Sequence, residues 1–151
     1  MTASNLNDID FLDLLGVEVR QIKGAIDRVV ANYERKPAWQ RLEELRTAID
    51  AINAHLDRQE IILKLVREDE DLHSEISRML ELKGKIRDTL THMVLSHVDE
   101  TEFQTRQLKE LSAHLEELAA LEGEKLIASL RDHISDEDQR DVAFKMVGAM
   151  I

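Results

Sequence analysis

Apolar residues recur at alternating spacings of three and four through four successive segments of this chain, and almost nothing interrupts them. That spacing puts the apolar side chains on one face of an α-helix, because the helix repeats every 3.6 residues. A strand would need strict alternation instead. The helix breakers are nearly missing: there is one proline, Pro37, and five glycines in 151 residues. Each apolar face needs a partner to bury it, so the pattern predicts an all-α domain rather than isolated helices.

The segments can be bounded from their ends. The first is expected from about Asn7 to Arg35, with Asn7 or Asp8 as cap, and its line runs through Ile9, Leu12, Gly16, Val19, Lys23, Ile26, Val30 and Tyr33. Pro37 stops it, since the residue before a proline is biased away from the helix. The second, about Ala38 to Arg67, carries Leu42, Leu45, Ile49, Ile52, Leu56, Gln59, Leu63 and Val66. The acidic run from Glu68 to Asp71 breaks the pattern and suits the next helix N-terminus. The third, about Leu72 to Val98, carries Ile76, Met79, Lys83, Ile86, Leu90, Met93 and His97. The fourth starts near Thr101, where Gln104 completes a capping-box pattern, and carries Leu108, Leu111, Leu115, Leu118, Glu122, Leu126 and Leu130. A short last helix follows Ser135, with Val142, Phe144, Met146, Val147 and Met150. Short connections favour antiparallel neighbours, which gives one domain over residues 1–151: an up-down-up-down four-helix bundle closed at one end by the tail helix.

Composition narrows the function. Twenty basic residues against 31 acidic ones leave a net charge of -11. Such a chain repels nucleic-acid phosphates and anionic membrane surfaces. There is no cysteine, which excludes disulfides, thiol catalysis and cysteine-type zinc sites. The first ten residues lack the basic flank and apolar run of a signal peptide, and no stretch has the length of a membrane span. A cytoplasmic protein is the expectation. No nucleophile–base motif, glycine-rich phosphate loop or HExxH is present, so an enzyme is not expected.

The polar interruptions of the core line carry the remaining information. Reflecting the helices about turns near residues 36, 69 and 100 brings Gly16, Gln59, Lys83 and Glu122 to about one depth, with His55 beside them. Polar groups inside a bundle cost stability unless they are paired, so this layer is the candidate site. One reading is an interior ion pair between Lys83 and Glu122, with His55 and Gln59 hydrogen-bonding around it. In another, Lys83 carries its ammonium out along a groove to water. His73, His92, His97, His114 and His133 are scattered, and only His114, one turn before Leu118, could approach the layer. The Glu43-Glu44 and Glu116-Glu117 pairs read as solvated faces. Trp39 and the tail methionines Met146 and Met150 are the candidate contact surface.

The same residues carry a resemblance. FLDLLGVEVRQI is similar to the opening of hemerythrin-like (HHE cation-binding) domains, HLDRQEIILKLV to their second-helix HxxxE segment, ELKGKIRDTL to their third-helix EHxxIRxLL, and HLEELAALEGEKLIASLRDHISDED to their closing segment. The resemblance implies a four-helix bundle around paired iron. Carried over by position, the first-helix histidine is Gly16, the second-helix histidine is kept as His55 and its carboxylate is Gln59. The third-helix histidine is Lys83, followed one turn later by Arg87. The fourth-helix histidine is Leu118, and its carboxylate is kept as Glu122. Two ligands of the usual set remain, which implies a bundle that has lost its di-iron site and has no cofactor. A single iron or zinc ion at His55 and Glu122 is the alternative. Action then falls to a protein partner, a homodimer or a small molecule in the bundle interior.

Overall fold

The computed structural model describes residues 11–66, 70–97 and 99–126. They form α1 (Phe11–Val30), α2 (Ala38–Val66), α3 (His73–Leu95) and α4 (Thr101–Ala120), with no strand among them. Short 3-10 turns, Tyr33–Arg35 and Glu70–Leu72, lie in two of the connections. α1 packs on α2 and α4, and α3 packs on α4 and more sparsely on α2. The expected tail helix and Leu130 lie outside the described residues.

One core runs between the four helices. Val19 and Ile26 of α1, Ile52 and Leu56 of α2, Met79 and Ile86 of α3, and Leu108, Leu111 and Leu115 of α4 are all buried. Fully burying an aliphatic side chain of this size stabilises the fold by about 1.5–3 kcal/mol, so this stripe supplies the main driving force. No described helix is long and apolar enough to cross a membrane.

Several local expectations are corrected. The first helix ends at Val30, not near Arg35, because Asn32 takes the left-handed conformation (φ 60°, ψ 24°), which asparagine tolerates better than most residues. Tyr33 is still buried, but from the 3-10 turn, where its hydroxyl donates to Gln104 Oε1 at 2.6 Å. Gln104 is therefore not a capping residue: its amide nitrogen donates to Ser96 Oγ (2.9 Å) and the His97 carbonyl (3.1 Å), and Glu100 precedes α4 without a side-chain cap bond. Leu42, expected in the core, is 53% exposed, and Arg41 is buried beside it instead. The Arg41 guanidinium donates to the Lys36 carbonyl and lies 5.9 Å from the centre of the Tyr33 ring. His97 ends up exposed beyond the end of α3.

The end of α4 bears most directly on the site. The helix does not stop at Ala120 but continues as a π-helical turn over Leu121–Leu126. This turn contains Glu122, which is fully buried, and Leu126, which rejoins the core. Single π turns within α-helices mark positions where a side chain is held against the regular repeat, often at functional sites.

Candidate functional site

His55 sits on α2 at the centre of the polar layer and is 1% exposed. Its Nδ1–H donates to Glu18 Oε1 of α1 at 2.6 Å. Its Nε2–H donates to Glu122 of the π turn, at 2.9 Å to Oε1 and 3.1 Å to Oε2. One imidazole thus ties three elements together. Gln59, one turn further along α2 and also buried, donates its amide to Glu122 Oε1 at 2.5 Å. Arg58 closes the outer side, donating through Nε to Glu18 Oε1 at 3.0 Å and through its terminal nitrogen to Glu18 Oε2.

Two carboxylates on one imidazole require two N–H donors. A neutral histidine has one, so this arrangement calls for the imidazolium form. The charges agree, since the cationic ring and the Arg58 guanidinium balance the carboxylates of Glu18 and Glu122. Burial by itself would push the His55 pKa down. The hydrogen bonds and negative charge of Glu122 and Glu18 outweigh it and raise the pKa to about 9. Burial would likewise push the Glu18 pKa up, but His55 and Arg58 hold it below its ordinary value.

The structure brings three of the five sequence-predicted layer residues together: His55, Gln59 and Glu122. Gly16 is half-buried on α1, and the α1 residue that reaches the site is Glu18, two positions on. The expected Lys83–Glu122 pair does not form. The Lys83 stem is buried, but its ammonium points to the edge, where it meets the half-exposed Glu60 at 3.3 Å. A four-carbon stem lets lysine choose the partner that leaves it wetter, and Glu60 is the less costly one. Replacing Lys83 with methionine is therefore expected to leave the urea midpoint nearly unchanged. A large loss in urea denaturation would return Lys83 to the interior.

Glu18 and Arg58 escaped the sequence reading, although a signal was present. Glu18 stands between Val17 and Val19 at the depth of His55, and Arg58 is one turn from His55 on the facing helix. Of the charged pairs read as solvated faces, Glu117 is held by Arg78 across α3 and α4, and Glu44 by Lys36 at 2.9 Å. His114 stays outside the layer, and its nearest carboxylate is Glu110 at 3.8 Å.

The iron implied by the hemerythrin resemblance can be tested against this donor set. A paired-iron centre takes neutral imidazoles and bridging carboxylates converging from facing helices. Here both ring nitrogens of His55 already face carboxylates, and an ion could bind the ring only by displacing one of those two contacts and its proton. Among the described residues no group of three or more histidine or acidic side chains could hold a metal ion. The residues present do not fit paired iron. Compared with protein-family models, curated proteins and solved structures, the chain shows no match, so the hemerythrin likeness rests on the segments quoted above.

Proposed function

We propose that this chain is an up-down-up-down bundle of hemerythrin-like descent in which a salt-bridged interior has replaced the metal centre, and that it works without metal, by contact with another molecule rather than by catalysis. The observation that carries the reading is the double engagement of His55. The ring that would be the surviving ligand is the cation of an ion-pair network. Such a network fixes the register of α1, α2 and the π turn, a role for which buried polar groups are retained even when they add little stability.

The test is reconstitution. The purified protein is incubated anaerobically with excess ferrous iron, desalted and analysed for metal, and the procedure is repeated with zinc. Well below one ion per chain is expected in both cases. Two irons per chain with an oxo-bridge absorption band would overturn the reading. One tightly held ion that is lost in Glu122→Gln would restore the single-ion site.

A further inference from the structure

α2 and α3 form the loosest seam of the bundle, packing on each other far more sparsely than α1 packs on α2 or α4. Two ion pairs mark where the seam runs: Lys83 to Glu60 at 3.3 Å and Arg87 to Asp57 at 4.0 Å. Steps of three and four from those residues trace one outer line along each helix. On α3 the line is Leu80, Gly84, Arg87, Thr91 and Val94, and all five are exposed. On α2 it passes through Glu60, Asp57, Asn53, Ile49, Arg46 and Leu42. Leu42 and Leu80 are 53% exposed and Val94 is 66% exposed, so this one seam holds half of the six large apolar side chains left open among the described residues. Apolar side chains that are aligned in this way, rather than scattered singly, mark a contact surface. Gly84 lies in the middle of it. Glycine inside a helix is less stable than alanine, and a Cβ at this position would meet nothing within 4 Å, so no neighbour within the chain requires it. It leaves a flat spot that another helix can approach closely.

Charge and size point to the occupant. Counting Asp50 at its edge, the face sets four cations (Arg46, Lys64, Lys83 and Arg87) against three carboxylates (Asp50, Asp57 and Glu60). It is therefore near neutral on a chain of -11. Two copies repel each other through acidic surface, and a balanced face is where they can meet. α3 is 23 residues long, about 35 Å, and two adjacent helices present a face about 20 Å wide. The resulting area, on the order of 700 Å², is close to the roughly 800 Å² per partner that a stable dimer needs.

We infer that the α2–α3 seam is a homodimer interface, in which a second copy of this chain lays the same seam against it about a two-fold axis. Leu42, Ile49, Leu80 and Val94 then pack between the copies around the flat spot at Gly84. Arg87 and Asp57, whose side chains are 50% and 68% exposed in one chain, lie open to the same pair on the other copy.

The experiment is sedimentation equilibrium of the intact chain over a range of concentrations. The mass of two chains is expected at about 100 µM, and its fall on dilution gives the dissociation constant. Leu80→Glu and Val94→Glu each place a carboxylate in the seam, whereas Val17→Glu makes the same change at an exposed position of α1. Gly84→Gln adds bulk where no atom of the same chain is met. All four positions are exposed, and circular dichroism checks that each variant folds. The three seam variants are expected to weaken the dimer at least about ten-fold, and Val17→Glu to leave it within about two-fold. A parent chain that is monomeric at about 100 µM would overturn the inference. So would seam variants that dimerise as the parent does, or a Val17→Glu variant weakened as much as they are. A mass above two chains would also overturn it, since a closed two-fold contact uses each seam once. Dimerisation through this seam neither uses nor tests the network at His55, so its failure would leave the reconstitution test untouched.

Discussion

Glu122→Ala is expected to cost the folded chain about 3–5 kcal/mol, the usual penalty for stripping one partner from a buried ion pair. The loss has two parts in this structure. The imidazolium of His55 would keep one carboxylate and lose the other, and the Gln59 amide would lose its acceptor. Removing the opposite partner, in His55→Leu, is expected to be similarly costly, because Glu122 would remain buried with only Gln59 to hold it. The double replacement His55→Leu with Glu122→Leu removes both charges at once and restores an apolar line. It is expected to be far less damaging than the sum of the single changes, with a coupling of about 2–3 kcal/mol. Denaturant unfolding of the four proteins measures that coupling. If the two single losses simply added, Glu122 would be reaching water, and the layer would not be a site.

The helices were legible because their evidence is redundant. Each line has five to seven apolar members, and losing one, as α2 loses Leu42 to solvent, changes nothing about the helix. The layer was legible for a related reason. Gln59 and Glu122 interrupt otherwise unbroken leucine and isoleucine positions, and side chains on those lines have nowhere to go but inward. What each polar group bonds to was a different problem. Lys83 and Glu60 show why: on a long stem, a shift of one rotamer changes the partner, and sequence spacing carries no information about rotamers. Glu18 lies off the α1 core line, whereas Gly16 lies on it. Yet a carboxylate at the flank is better placed than a backbone position to meet a histidine on the next helix. The π turn had no visible signal, because Glu122 follows Leu118 at a spacing that an ordinary α-helix would also satisfy.

The network also gives the fold a dependence on alkaline pH whose sign is fixed by the direction of the His55 shift. The folded pKa, about 9, lies above the ordinary histidine value of 6.5. A group raised on folding stabilises most when it is protonated in both states, so its contribution is full below about pH 6.5 and is lost as the pH rises through 9. At about 1.4 kcal/mol per pKa unit, the expected fall in unfolding free energy across that window is about 3 kcal/mol. Deprotonation leaves one ring nitrogen without a proton against a carboxylate, so α1 or the π turn must give up its bond to the ring. Glu18 acts on the other side. Its lowered pKa adds stability above the ordinary glutamate range, and that share is lost as the pH falls through its folded value. Unfolding free energy is therefore expected to peak on the mildly acidic side of neutral and to decline towards pH 10. The check is urea denaturation at intervals from pH 5 to 10, with the His55→Leu, Glu122→Leu double variant as reference for every other titrating group. In the reference the decline between pH 6.5 and 9 should disappear. Imidazole nitrogen shifts of His55 followed by NMR should give a midpoint well above the ordinary histidine value of 6.5. A His55 midpoint at or below 7, or a parent protein whose stability is flat from pH 7 to 10, would mean that the ring is neutral. In that case one of its nitrogens has a free lone pair, and His55 with Glu122 is open to a metal ion.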